Sequence, residues 1–270
     1  MEPLRAAVLG LLQGLTEFFP VSSSGHLVLA QELWGGYTGA DFFLDVMLHV
    51  GTLAAVVLFC RREVASMWRA LLGLGRRPQT PTEAAGRRLL LAVTLASIPT
   101  AAIGLLLRST VNSWFSQLVF VGAMFLVTAA ILALSPLCRG NREEASPANA
   151  LLVGVAQGLA LLPGLSRSGA TIVTAKALGM ESTAAARFAF VISIPAVLGT
   201  ALVSAMDVQN LPNFNTGLIF SLACGTMAAA LSGYLSLIVL SGIIRRARLN
   251  LFSFYCAAAG LFTIALGALR

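Results

Sequence analysis

Residues 13–26 read QGLTEFFPVSSSGH, and residues 157–170 read QGLALLPGLSRSGA. Aligned at an offset of 144, Gly10, Gln13, Gly14, Leu15, Ser22, Ser24 and Gly25 fall on Gly154, Gln157, Gly158, Leu159, Ser166, Ser168 and Gly169. Pro20 and Pro163 miss by one position. Seven identities in sixteen positions exceed what an apolar bias readily supplies, so the chain contains an internal repeat. Each copy sits in a segment, Leu4–Trp34 and Asn149–Met180, made of two short apolar pieces broken by Pro, Ser and Gly.

Outside these segments the chain is apolar. Of its 270 residues 57% are hydrophobic and 11% charged, against about 25% charged for an ordinary soluble domain. Charge-free stretches run over Leu89–Leu107, Ser109–Cys138, Ala145–Ser166, Phe188–Met206, Val208–Ile244 and Leu249–Leu269. About 20 such residues cross a bilayer as a helix. The net charge of +7 comes almost entirely from Arg gathered in short links, which is topology information rather than a nucleic-acid footprint. Cys60, Cys138, Cys224 and Cys256 have no metal-ligand spacing and read as packing residues. No basic region precedes the apolar run at Leu4, so the N-terminus does not read as a cleavable signal.

Arginine placement orients the spans. The link 61–88 carries Arg61, Arg62, Arg69, Arg76, Arg77, Arg87 and Arg88, and the link 241–248 carries Arg245, Arg246 and Arg248, so both are expected in the cytoplasm. The link 207–216 has no Lys or Arg, and the one near Asn112 has only Arg108 beside it, so both are expected outside. Six full spans then follow: Phe42–Cys60, Arg88–Leu107, Trp114–Leu134, Ala184–Ala205, Gly217–Leu240 and Leu249–Leu269. The two broken segments must be re-entrant hairpins, 4–34 dipping in from outside and 149–180 from the cytoplasm. The expected fold is an all-α polytopic membrane protein, one membrane domain over 1–270. Repeat 1 spans about 1–140 and repeat 2 about 145–270. Three spans follow each hairpin, so the second copy enters inverted, a plan that places binding sites at the midplane. Lys176 and Arg187 are expected to snorkel to the cytoplasmic surface.

The breaks predict a site, because irregular backbone at that depth must line a polar cavity or be buried in protein. Helices should stop near Pro20 and Pro163 and restart at Ser22–Ser24 and Ser166–Ser168. Two helix N-termini then face one gap, an arrangement that binds phosphate. Arg167 lies in otherwise lipid-compatible sequence, where a charge costs roughly 2.5–3.5 kcal/mol, and its guanidinium suits phosphate oxygens. Ser22, Ser166, Ser168 and Thr171 surround it with further hydroxyls. Ser23 and His26 are three apart on one helix face, the minimal pair for an activated oxygen nucleophile. Glu17 can orient His26, act as base or hold a divalent cation, and Gln13, one turn back, can complete a metal or water contact. His49 reads as hydrogen-bonded packing and stays outside the predicted site.

Both motifs, QGLTEFFPVSSSGH and PGLSRSGAT at Pro163–Thr171, resemble the signatures of the undecaprenyl pyrophosphate phosphatases, also called bacitracin-resistance proteins, in order and spacing over essentially the whole chain. The resemblance implies an enzyme that hydrolyses undecaprenyl pyrophosphate to undecaprenyl phosphate and phosphate. Such an enzyme recycles the lipid carrier of peptidoglycan synthesis and gives bacitracin resistance. It implies a multi-pass protein of the bacterial plasma membrane with its site facing the periplasm. It assigns Ser23 as nucleophile, His26 as its catalytic partner, Glu17 as the invariant acid and Arg167 as the phosphate-binding arginine, flanked by Ser166 and Thr171. It also implies a divalent cation, Mg2+ or Ca2+. Here Gln13 stands where the motif admits Glu or Gln, which removes one charge from any metal site.

The expected partners are the lipid pyrophosphate and membrane lipids, with no nucleic acid and a homodimer left open. A secondary transporter shares the inverted-repeat plan, but a carrier has no need of the Ser23–His26 pair. The acid phosphatase-like membrane family shares SGH, yet its later histidine is missing, since no His follows Arg167.

Overall fold

The computed structural model describes residues 2–34, 39–75, 78, 80–206, 216–246 and 248–269. Among them are eleven helices and no strand: α1 Pro3–Phe18, α2 Ser23–Leu33, α3 Gly39–Phe59, α4 Arg61–Leu72, α5 Pro81–Phe115, α6 Leu118–Ala133, α7 Pro147–Leu159, α8 Arg167–Ala177, α9 Ser182–Met206, α10 Thr216–Arg245 and α11 Leu251–Ala268. Four of these, α5, α9, α10 and α11, are long and apolar enough to cross a membrane, and α3 with α4 forms a pair bent by 82°. The predicted outside link at 207–215 and Arg76 and Arg77 lie outside the described residues.

Both expected breaks are present. The first helix stops at Phe18, before Pro20, and the chain restarts as α2 with Ser22 as N-cap, its Oγ accepting from the Gly25 N–H. The second stops at Leu159, before Pro163, and restarts as α8 with Ser166 as N-cap, its Oγ accepting from the Gly169 N–H. An N-cap of this kind is worth about 1 kcal/mol.

Helix packing exchanges between the copies. The first arm of the first hairpin, α1, leans on α10, and the first arm of the second, α7, leans on α5. Both contacts need a missing side chain. A Cβ on Gly10 would lie 2.2 Å from the Gly225 carbonyl oxygen, and one on Gly154 would lie 2.1 Å from that of Ala96. Thr100 Oγ1 adds a hydrogen bond to the Gly154 carbonyl at 2.9 Å. Such close backbone approach is how apolar helices associate in lipid, where burial of apolar surface offers little drive. Phe18, Val56, Val93, Ile172, Ile192 and Leu237 meet in the largest buried cluster, so both hairpins share one core.

The link after Cys60 carries a helix of its own: α4 is amphipathic, with Val64 and Met67 packed on the core while Arg61 and Arg62 are exposed. Two expectations are corrected. First, α5 starts at Pro81 rather than Arg88 and runs past Leu107 to Phe115, displacing the start of α6 to Leu118. Thr80 caps it by accepting from the Glu83 N–H, with Pro81 in the first turn. A search for charge-free runs passes over a helix start written in capping residues. Lys176 does not snorkel either. It is buried, and its Nζ donates to the Ser135 carbonyl at 2.9 Å, just past the end of α6 where the helix dipole favours a cation. Arg187 is exposed, 4.0 Å from Glu63.

Candidate active site

The two hairpin tips touch. Ser168 Oγ donates to the Phe19 carbonyl at 3.2 Å, and a Cβ on Gly25 would lie 3.1 Å from the Gly164 Cα. Thr128 on α6 fastens the second tip, accepting from the Ser166 N–H at 3.0 Å and donating to the Gly164 carbonyl at 3.0 Å. The N-termini of α2 and α8 therefore abut, and their dipoles make the gap between them electropositive.

At the offset of 144 the first helical residues of α2 and α8 are Ser23 and Arg167. Both converge on Glu17, in the last turn of α1. Ser23 Oγ donates to Glu17 Oε2 at 2.5 Å, and Arg167 Nη1 lies 3.4 Å from Glu17 Oε1. Gln13 Nε2 donates to Glu17 Oε2 at 2.9 Å, one helical turn back. The Glu17 side chain is only 6% exposed, so its charge is balanced by Arg167 rather than by water. Arg167 Nη1 is buried and, among the described residues, has no hydrogen-bond partner. It faces Glu17 across a gap wider than a good hydrogen bond, so an acceptor brought between the two tips would complete it.

His26 takes a different place from the one expected. Its Nδ1 lies 2.7 Å from the Ser22 carbonyl, which can only accept, so Nδ1 carries the proton. Nε2 then accepts from the Tyr255 hydroxyl at 2.6 Å, and the Tyr255 ring stacks on the imidazole at 5° between planes. Both ring nitrogens are engaged in this arrangement, and the Ser23 hydroxyl donates to Glu17 rather than to His26. His26 instead clamps Ser22, whose φ of 66° is outside the range that side-chain-bearing residues favour. Ser23 follows that strained residue directly, so the clamp fixes where its hydroxyl points.

The flanking hydroxyls expected to contact phosphate are occupied with backbone. Ser22 and Ser166 serve as N-caps, and each also lies 3.3 Å from the hydroxyl of its second neighbour, Ser24 or Ser168. Ser168 binds the opposite tip, and Thr171 Oγ1 donates back to the Arg167 carbonyl at 2.8 Å. These four build the frame, while Ser23, Glu17 and Arg167 meet where the two tips abut.

Sequence reading left out two residues. His49 on α3 comes within 4.0 Å of Glu17 Oε2 while its Nδ1 is 2.7 Å from the Asp45 carbonyl. An ionisable residue inside an apolar span is a functional candidate by default, and that signal was available. Tyr255 reaches His26 across 229 positions, and nothing local marks it.

Among the described residues no group of three or more His, Cys, Asp or Glu side chains converges into a metal cage. Gln13 Oε1, however, is buried beside Glu17 with no hydrogen-bond partner there. One carboxylate and one unbonded amide oxygen fit a magnesium-like ion that draws its other ligands from water and phosphate.

Comparison with known proteins follows the same lines. The family model described as bacitracin resistance protein BacA matches residues 6–262. The chain is similar to the undecaprenyl-diphosphatase of Desulfosudis oleivorans, 41% identical with 99% of each chain covered. It is also similar to those of Halothermothrix orenii, 40% identical with 100% of each covered, and Methanosphaera stadtmanae, 35% identical with 98% of each covered.

Proposed function

The chain belongs to the bacitracin resistance protein BacA family, and from that premise we propose that it is a membrane phosphatase hydrolysing undecaprenyl pyrophosphate to undecaprenyl phosphate and inorganic phosphate. This activity would recycle the lipid carrier of peptidoglycan synthesis and confer bacitracin resistance. The observation that carries the reading is the cluster itself: a serine hydroxyl 2.5 Å from a buried carboxylate, facing a guanidinium nitrogen that lacks a hydrogen-bond partner among the described residues.

In the proposed reaction Arg167 and the N-terminal ends of α2 and α8 receive the terminal phosphoryl group, adding donors where equatorial charge develops. Ser23 Oγ attacks phosphorus as its proton passes to Glu17 Oε2. The bond to the bridging oxygen breaks, and undecaprenyl phosphate leaves as an already stable anion that requires little acid help. Water then cleaves the phosphoserine, releasing phosphate and restoring the hydroxyl. His26 holds the Ser22–Ser23 tip in place rather than taking the proton. A divalent cation, Mg2+ or Ca2+, would be held by Glu17 and Gln13 Oε1, and when bound it would neutralise phosphate charge.

Six spans and two re-entrant hairpins in inverted repeats, 1–140 and 145–270 within one membrane domain, are the arrangement we favour. The exchanged packing of α1 on α10 and α7 on α5 supports it, as do the matching caps at Ser22 and Ser166. The arginine-poor links support a site that faces the periplasmic side of a bacterial plasma membrane.

The deciding experiment is phosphate release from undecaprenyl pyrophosphate by the purified protein in detergent. Ser23→Ala and Arg167→Ala should each abolish most of it. A folded wild-type protein that binds the lipid pyrophosphate without releasing phosphate would overturn the proposal and leave a carrier in its place.

A further inference from the structure

A cavity of about 490 Å³ lies between the first hairpin tip and the turn joining α10 to α11. Its walls are apolar, formed by Leu15, Phe19, Ile243 and Leu251, and Arg246 and Arg248 also line it. Both arginines are exposed, and no acidic residue is among the described lining residues. They fall between the end of α10 at Arg245 and the start of α11 at Leu251, where two apolar spans leave the hydrocarbon. That is the depth of lipid head groups, where clustered arginines attract anionic lipid. Ser23, Glu17 and Arg167 do not line this cavity, so it is distinct from the cluster proposed to react.

We propose that this cavity binds an anionic phospholipid of the surrounding bilayer, its phosphate on Arg246 and Arg248 and the first part of one acyl chain against the apolar walls. Each half of the cavity alone would suit many occupants. Together they match a ligand with a phosphate on a hydrocarbon chain, positioned at head-group depth. Tyr255 forms part of the same wall, and its hydroxyl holds His26 Nε2 at 2.6 Å. The bound lipid therefore lies against the residue that braces the reaction tip.

The test is native mass spectrometry of the full chain, released from micelles carrying equal amounts of phosphatidylglycerol and phosphatidylcholine. One phosphatidylglycerol should be retained in preference to phosphatidylcholine. The pair Arg246→Gln and Arg248→Gln should weaken that retention by about thirtyfold, from about fivefold for each arginine near an anionic surface. The pair Arg246→Lys and Arg248→Lys should keep most of it, and it also serves if the glutamine pair does not fold. Arg245→Gln, outside the cavity lining, should leave it unchanged. Equal retention of the two lipids, or an unaltered glutamine pair, would overturn the proposal. So would displacement of phosphatidylglycerol by equimolar undecaprenyl phosphate, which would make the cavity a prenyl phosphate site. Because the readout is binding, it stands or falls independently of phosphate release.

Discussion

Glu17→Gln separates the two groups within the site that could take the Ser23 proton, Glu17 and His26. The substitution keeps the volume of the side chain and its packing but removes the charge that receives a proton. Ser23 Oγ sits 2.5 Å from Glu17 Oε2, whereas both His26 nitrogens are engaged with Ser22 and Tyr255. A positioned general base contributes about 10²–10⁴-fold, so kcat should fall on the order of a thousandfold. The Michaelis constant should respond differently. At 3.4 Å and an effective dielectric constant of about 20, the gross Glu17–Arg167 attraction is about 5 kcal/mol, part of it offset by desolvation of the two ions. Freed from that attraction, Arg167 has more to give an incoming phosphate, so with Mg2+ held saturating, to keep the weakened cation site filled, KM should stay level or drop. His26→Ala keeps the Glu17 and Ser23 side chains but releases the clamp on Ser22 and the ring's contacts with Tyr255 and Phe125, for an expected loss of about ten- to a hundredfold, in line with the ~1–3 kcal/mol of a lost buried hydrogen bond. The assay is initial-rate phosphate release over a range of undecaprenyl pyrophosphate concentrations, with thermal unfolding recorded for each variant. If His26→Ala costs more kcat than Glu17→Gln, or if folded Glu17→Gln loses less than tenfold, Glu17 is not the proton acceptor.

Gly10→Val should lower the unfolding temperature in detergent, because its Cβ would meet the Gly225 carbonyl at 2.2 Å and overpacking costs about 1–3 kcal/mol. Tyr255→Phe keeps the stacked ring and removes only the hydroxyl on His26 Nε2. It should reduce kcat by about tenfold with KM unchanged, as one buried hydrogen bond predicts, and steady-state kinetics would show it. Glu181, ahead of α9, has its carboxyl held below the ordinary carboxylate range, chiefly by the Thr183 hydroxyl and with help from the Thr183 and Ala184 N–H groups. A lowered acid contributes stability above its unfolded value and loses it as pH falls through the folded one, so Glu181→Gln should flatten the acid side of a stability–pH curve. Chelation of divalent cations should suppress phosphate release while leaving the unfolding temperature nearly unchanged, since one carboxylate and one amide oxygen do not make a structural cage.

Much of this was legible locally. Pro20 and Pro163 mark the breaks, Ser22 and Ser166 the restarts, and their common spacing reveals a repeat. The meeting of the Ser23 tip with the Arg167 tip followed from requiring two buried kinks to share polar surroundings, whereas the pairing of Ser23 with Glu17 did not, because His26 was its expected partner. What stayed hidden depended on distance or on a different signal. The true start of α5 is written in Thr80, Pro81 and Glu83 rather than in hydrophobicity. The α4 helix hides its apolar stripe among arginines. Lys176 looked like a surface cation because its partner is a backbone carbonyl on another helix, and carbonyls leave no mark in a sequence. The role of His26 turned on Tyr255, a contact that only the folded chain creates.

Ser23 and Arg167 occupy one structural address used twice. Duplication of a half-chain would have put the same side chain at both addresses, giving either two attackers with no countercharge or two cations with nothing to deliver. Divergence at this pair, together with Glu17 standing where the second copy has Leu161, gives two similarly built tips a giving end and a holding end. The reciprocal exchange, Ser23→Arg with Arg167→Ser, would ask whether the scaffold itself cares which end is which.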